Sequence, residues 1–298
     1  MIQGQTFYGK EFYNMSTVSI ILITLVVEYF YDDLKNYRKD TIILNTFDYL
    51  KSKVSLNDYS QSIVCLIFVG FILLVGMAIA STLDSFIPVI YFVISFVVLL
   101  FSLRTNEFNR DIEELKIKLE FKKDDINKSL LFKICPNLKQ TRAKNNINNL
   151  VIKNLFFNSI RNTFSILFFF ILLGAPGALA YKAIDFILYS EEFKIDVKNK
   201  QHLKKYMYFI DYIPIRLTAY CFSIVSNYDK VIDRINNLEL SNNAYSSNIE
   251  YINQTGESVY DNSQKESNQI IQIQNILSRT LIAWLGLILL MSIGGFLV

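Results

Sequence analysis

An apolar segment broken by Gly174-Ala175-Pro176-Gly177 constrains the fold of this chain more than any other feature. Hydrocarbon cannot hydrogen-bond a backbone group that leaves a helix, so unwound backbone at membrane depth survives only where protein or a water-filled cavity covers it. Broken membrane helices therefore often line binding sites, and the second half-helix offers backbone N–H groups to an anion. The alternative is a kink that serves helix packing alone.

Three further stretches, residues 62–80, 86–103 and 280–298, contain no charged residue, and each is close to the roughly 20 residues that cross a bilayer as a helix. Residues 15–30 are a fourth candidate, with Glu28 near their end. Because 52% of the chain is hydrophobic, we predict an all-α, polytopic integral membrane protein. We expect about four spanning helices, a broken or re-entrant helix pair and long cytoplasmic or interfacial helices in contact with a lipid bilayer.

Lysine and arginine mark the cytoplasmic side of a membrane protein. They are concentrated in residues 31–61 and 104–163, whereas the turn at 81–85 contains neither. If the broken segment, residues 164–190, crosses the bilayer, residues 191–279 with their ten basic side chains lie on the outer side of the membrane. If the segment bends back at its glycines, those residues stay inside. The charge distribution therefore favours a re-entrant hairpin.

The whole chain, residues 1–298, is predicted to form a single membrane domain. Residues 1–14 are interpreted as a dispensable N-terminal extension, because Met15 stands just before the first apolar stretch. Residues 239–269 are rich in Asn and Ser, and we interpret them as a mobile loop without assigned chemistry.

Residues 104–160 are predicted to be a cytoplasmic helical insert, since apolar side chains recur in its first part at helical spacing. Glu113 with Lys116, and Glu114 with Lys118, have the spacing of ion pairs on an exposed helix face. Further along, residues 203–238 are predicted to be helical. They carry charges that suit an interfacial or bundle-packed helix better than a spanning one. Pro214 predicts that a new helix begins near that point. We expect four tyrosines at headgroup level, namely Tyr206, Tyr208, Tyr212 and Tyr220.

The sequence contains no phosphate-binding loop, nucleophile elbow, zinc-protease motif or dinucleotide fingerprint. Its three cysteines fall in different kinds of segment, so neither a disulfide framework nor a metal site is supported. His202 is the single histidine, which removes most histidine-based metal and triad chemistry. The net charge of +3 does not suggest nucleic acid as a partner. We therefore predict no metal and no cofactor.

Ionisable residues near apolar sequence are costly in a membrane and mark function by default. In the hairpin interpretation both ends of the broken segment face the cytoplasm, so that its basic residues line a pocket for a phosphate or carboxylate ligand. Structural ion pairing, for example of Arg216 with Asp185 or Asp211, is the competing interpretation. No catalytic residue is predicted, and the candidate ligand-binding residues are Arg161, Gly174, Pro176, Gly177, Tyr181, Lys182, Asp185, Asp211, Arg216 and Asp229.

Two motifs connect the chain to a known family. Leu172-Leu-Gly-Ala-Pro-Gly-Ala-Leu-Ala-Tyr-Lys182 and Asp211-Tyr-Ile-Pro-Ile-Arg-Leu217 resemble the paired signatures of the CobD/CbiB superfamily. The phenylalanine-rich residues 164–170 and the segment 222–229 make the chain most similar to the AmpE branch. This resemblance implies a multi-pass protein of a bacterial inner membrane that acts as a regulatory signalling modulator of β-lactamase induction. An anionic cytoplasmic metabolite or a protein of cell-wall recycling is the partner that it implies.

The alternative implied by the resemblance is the cobalamin branch, which forms an amide bond with ATP and resembles adenosylcobinamide-phosphate synthase. Members of that branch carry an Asp-Pro…His-Pro motif after the first helix. Residues 31–40 of this chain contain neither proline nor histidine. The departure disfavours an enzyme, and ATP is expected as a cofactor only under this alternative.

Overall fold

The computed structural model describes residues 17–31, 34, 38, 41–53, 61–120, 147–190, 193, 195–241 and 243–294. Within these ranges the regular secondary structure is helical and contains no strand, which confirms the predicted all-α class. The predicted extension at residues 1–14 lies outside the described residues, as do residues 121–146 of the predicted insert.

The helices are named in chain order. They are α1 (Thr17–Phe30), α2 (Thr41–Lys53), α3 (Gln61–Phe86), α4 (Pro88–Ser102), α5 (Thr105–Glu120), α6 (Ile147–Ser159), α7 (Ser165–Tyr189), α8 (Val197–Val225), α9 (Tyr228–Asn236), α10 (Ala244–Glu257) and α11 (Glu266–Ile293). A π-helical turn, Ile160–Phe164, joins α6 to α7.

Four stretches are long and apolar enough to cross a membrane: Gln61–Phe86, Pro88–Lys118, Val151–Tyr189 and Glu266–Ile293. Only 17% of the most apolar part of the first stretch is buried against protein, as expected for a helix that faces lipid. α1 is apolar but shorter than a full span. The protein is therefore an all-α, polytopic membrane protein.

The chain reverses direction inside α7, at Gly174. Its φ of 66° and ψ of −157° lie in a region that only glycine adopts without strain. The rings of Phe169 and Tyr181 stack with their centroids 5.4 Å apart, whereas the same twelve steps along a continuous helix would separate the residues by about 18 Å. A Cβ atom built on Gly177 would lie 2.4 Å from the carbonyl oxygen of Phe169. This geometry confirms the predicted bend at the glycines, whereas the placement of both ends on the cytoplasmic side stays a prediction.

The described residues group into two compact units. The first unit is drawn from Met1–Arg104, Ser165–Met207 and Leu287–Val298. In it the hairpin, made of a first arm (165–173) and a second arm (175–189), packs against α3 and α4. Gly76 of α3 lies directly against Pro176 of the hairpin, since a Cβ atom at Gly76 would be 2.9 Å from the proline Cβ.

The second unit is drawn from Thr105–Phe164 and Tyr208–Gly286. Its centre is the contact of α6 with α10, where Gly256 lies against the ring of Phe156. The same ring packs edge-on against Phe222 of α8, with their centroids 5.4 Å apart. The expectation of a single membrane domain over residues 1–298 stays a prediction.

The exposed ion pairs predicted on α5 are confirmed. Lys116 Nζ lies 3.6 Å from Glu113 Oε2, and Lys118 Nζ lies 2.5 Å from Glu114 Oε1. Phe108, Ile112 and Leu115 of the same helix are buried, as their spacing predicted.

The predicted mobile loop at residues 239–269 is wrong over residues 244–257, which form α10. Asn243 caps this helix, because its Oδ1 accepts hydrogen bonds from the backbone N–H groups of Tyr245 (3.1 Å) and Ser246 (3.4 Å). Tyr251 and Ile252 are buried on the inner face of the helix. Burial of these side chains outweighs a composition that favours a loop.

The predicted start of a new helix near Pro214 is also wrong, since α8 continues through this residue. A proline in a helix interior costs about 3 kcal/mol or more, because a backbone hydrogen bond is lost. Pro214, Ile215 and Phe222 are all buried on the inner face of α8, and burial of this face offsets that cost.

Candidate functional site

The structure divides the predicted site residues between the two units. The first unit holds those of the hairpin: Gly174, Pro176, Gly177, Tyr181, Lys182 and Asp185. The second unit holds Arg161, Asp211, Arg216 and Asp229. Each group of residues is therefore arranged within its own unit.

The polar residues of the hairpin lie in its second arm. Tyr181, Lys182 and Asp185 are all about 97% buried. Lys182 Nζ lies 3.8 Å from Asp185 Oδ2, one helical turn away. Two buried opposite charges in contact neutralise each other, so the hairpin carries a satisfied ion pair rather than an exposed cation.

A second buried ion pair in the first unit joins Glu28 of α1 to Arg38 and was not predicted. Arg38 Nη1 donates to Glu28 Oε1 at 3.2 Å, and Nη2 donates to the other carboxylate oxygen. Nη2 also donates to the carbonyl oxygen of Leu100 in α4, at 2.7 Å. Glu28 stands out in the sequence as an ionisable residue beside apolar ones, but nothing local identifies Arg38 as its partner. The pair ties the end of α1 to α4.

Arg161 of the second unit lies in the π-helical turn and is 7% exposed. Its Nη1 donates to Oδ1 of Asn158, one turn earlier, at 3.2 Å. Nearby, the hydroxyls of Thr163 and Thr105 are hydrogen-bonded at 2.9 Å and connect the turn to α5. π-helical turns are rare in proteins, and those that occur are often found at functional sites. Arg161 therefore remains a candidate ligand-binding residue.

Arg216 is held in what we call the arginine cage, formed by Tyr212, Tyr251 and Asn248. The guanidinium carbon lies 3.5 Å from the centroid of the Tyr212 ring and 4.6 Å from that of Tyr251. Nη1 donates to Asn248 Oδ1 at 2.6 Å and to the carbonyl oxygen of Tyr212 at 3.2 Å. Asn248 is fixed in turn, since its Nδ2 donates to the carbonyl oxygen of Tyr208 at 2.9 Å. The cage therefore fixes the plane of the guanidinium group.

Among the described residues no carboxylate pairs with Arg216. Its two hydrogen bonds to protein acceptors are both donated by Nη1. The ion pair with Asp211 that was considered above is not formed. Nε and Nη2 remain as directed donors on a partly buried cation, which is the geometry that binds carboxylate or phosphate. Burial raises the pKa of Tyr251, Tyr220 adds to the rise, and the Arg216 cation opposes it. The Tyr251 hydroxyl is therefore protonated near neutral pH.

The two remaining candidates are separated by burial. Asp211 is 1% exposed on the inner face of α8, whereas Asp229 is exposed in the first turn of α9. An acidic residue in that turn stabilises the helix through its dipole. The arrangement of Asp229 is thus explained by helix stability, and its predicted role in binding a ligand stays a prediction.

Within the part of the chain that the structure describes, no three His, Cys, Asp or Glu residues come together in a way that could hold a metal ion. No protein-family model, curated protein or solved structure matches this chain.

Proposed function

We propose that this membrane protein is a regulatory or sensory protein that binds an anionic ligand at Arg216. The observation that supports binding is the arginine cage, a fixed and partly buried guanidinium whose charge is not neutralised by a carboxylate of the described residues. A cation in such surroundings is stabilised by an anion that accepts hydrogen bonds from Nε and Nη2. Arg216 also belongs to the Pro-Ile-Arg-Leu motif on which the resemblance to the AmpE branch rests.

The comparison with Lys182 supports Arg216 as the binding residue. Both are cations in polar clusters, but Lys182 is 3% exposed and has Asp185 beside it. A ligand at Lys182 would have to displace that carboxylate and reach a buried atom. A ligand at Arg216 meets neither obstacle.

The cage also offers a route by which binding could be relayed. Arg216 belongs to α8, and Asn248, which accepts its shortest hydrogen bond, belongs to α10. An anion that competes for the guanidinium changes the link between these helices. α10 is packed on α6 through Gly256, so its position is coupled to the core of the second unit. The ligand then acts because it has different affinities for α8 and α10 with and without the Arg216–Asn248 hydrogen bond.

By the resemblance of its motifs, we propose that the process is β-lactamase induction or another response to cell-wall stress at a bacterial inner membrane. The test is a clean deletion in the host, complemented with the wild type, Arg216→Ala or Arg279→Ala. Arg279 is an exposed arginine of α11 and serves as the charge-matched control. We expect the deletion and Arg216→Ala to change β-lactamase activity after β-lactam challenge, and Arg279→Ala to behave as the wild type. Unchanged induction in the deletion would refute the regulatory role.

Binding is tested on purified protein by titration with inorganic phosphate and with acetate, followed by thermal unfolding. Stabilisation by an anion that disappears in Arg216→Ala but not in Arg279→Ala supports the proposal. Nucleotide binding that is lost in Lys182→Ala would instead replace it with the ATP-dependent amide-forming alternative.

A further inference from the structure

An exposed apolar stripe runs along α8 on both sides of Arg216. Phe209 and Ile213 precede it, and Tyr220 and Ile224 follow it, with exposed fractions of 71%, 58%, 50% and 68%. Separations of four, seven and four residues place these side chains on one face of a helix. We call these four residues the α8 stripe.

Arg216 is on the same face as the α8 stripe and lies near its middle. The opposite face of α8 is buried and includes Asp211, Ile215 and Thr218. The helix therefore presents a row of apolar side chains, interrupted by a cation that has directed donors available. A ligand that matches this surface has an apolar body and an anionic group.

We propose that the α8 stripe and the arginine cage together bind the phosphodiester end of a membrane phospholipid. The lipid phosphate accepts hydrogen bonds from Nε and Nη2 of Arg216, and the glycerol and upper acyl chains cover the stripe. This inference rests on the proposed anion site and names its ligand class.

Three observations favour a lipid over a water-soluble anion. Four stretches of the described chain are apolar enough to span a membrane, so lipid is always adjacent to the protein. α8 is not among those stretches, and its exposed face combines the apolar side chains of the α8 stripe with the Arg216 cation, a combination that suits a helix lying along the membrane surface. Tyr212 and Tyr220 border Arg216, and tyrosine is enriched at the level of the lipid headgroups.

The test uses the full chain, purified in detergent and freed of lipid, with bound molecules counted by native mass spectrometry. Phosphatidylglycerol is the probe. Diacylglycerol has the same chains without the phosphate, and inorganic phosphate has the charge without the chains. We expect phosphatidylglycerol to bind most tightly. Arg216→Ala should weaken that binding about tenfold, because a hydrogen bond to a charged group is lost.

A double variant, Phe209→Ser with Ile213→Ser, removes half of the stripe and leaves the cage intact. It should weaken lipid binding about tenfold, since apolar contact area is lost, while phosphate binding stays unchanged. Arg279→Ala and Ile271→Ser alter exposed residues of α11 and should leave binding as in the wild type. Arg216→Lys keeps the charge but not the planar fork, so that its affinity should fall between wild type and alanine. Unchanged helicity of each variant shows that the fold is kept.

The possible outcomes separate the two proposals. If inorganic phosphate binds as tightly as the lipid, the anion site stands and the lipid inference is wrong. Equal binding of diacylglycerol and phosphatidylglycerol also refutes it, because the phosphate then contributes nothing. If binding of none of the three probes depends on Arg216, both the lipid inference and the proposed anion site fail.

Discussion

Replacement of Gly177 by alanine measures the closeness of the two arms of the hairpin. The new Cβ atom would lie 2.4 Å from the backbone oxygen of Phe169 and 2.6 Å from Cβ of Leu173. Ordinary contact begins near 3.4 Å, so the arms must separate by about 1 Å. A gap of that size forfeits up to half of the dispersion attraction of each contact, and overpacking of a core typically costs 1–3 kcal/mol. We expect the free energy of unfolding to fall by about 3 kcal/mol.

The assay is equilibrium unfolding in mixed micelles, with helicity as the signal. Gly70→Ala in α3 is the matched control, because no atom lies within 4 Å of a Cβ atom at that position. Alanine is the better helix former by about 1 kcal/mol, so this variant should be neutral or slightly more stable. Gly174→Ala should cost about 1–3 kcal/mol through its backbone conformation alone. Equal stability of Gly177→Ala and Gly70→Ala would refute the hairpin geometry.

Three further predictions concern other contacts. Cysteines at Phe169 and Tyr181, in a chain whose native cysteines are replaced by serine, should be joined by a short bifunctional thiol reagent, because a continuous helix would hold them about 18 Å apart; mass spectrometry detects the bridge. Burial, and secondly the negative charge of Glu257, raises the pKa of Tyr260 from 10.0 to about 12. The stability that the protonated Tyr260 contributes is therefore complete below pH 10 and is lost as the pH rises towards 12. Tyrosinate absorbance should contain a phase near pH 12 that Tyr260→Phe removes. Glu257→Gln should lower the free energy of unfolding by at most about 1 kcal/mol, since its partner Lys153, 2.5 Å away, is 44% exposed; a double-mutant cycle measures the coupling.

The spanning helices were predictable because their signal is local. A charge-free apolar run of membrane length has one stable form in lipid, since every backbone group must be bonded within the helix. The reversal was predictable for a related reason: Gly174 and Gly177 combine a backbone freedom and a small size that a straight spanning helix does not need. Exposed ion pairs on α5 followed from spacing alone.

The second unit was predicted less well because distant contacts determine it. α10 has a polar composition, and only the spacing of Tyr245, Asn248 and Ile252 along one face could have indicated a helix. Nothing in the local sequence identifies Asn248 as the partner of Arg216, since the two residues are 32 positions apart and belong to different helices. The pairing of Arg38 is unpredictable for the same reason. Its partner Glu28 is recognisable in the sequence, but their contact is created by the fold.

The most direct test of the account is an experimental structure of the full chain in a lipid bilayer, with the density around Arg216 as the decisive feature. We expect the guanidinium group to remain between Tyr212 and Tyr251, with a non-protein anion within hydrogen-bond distance of Nη2. A carboxylate of the protein in that position, or a guanidinium group turned out of the cage with nothing bound, would contradict the proposed function.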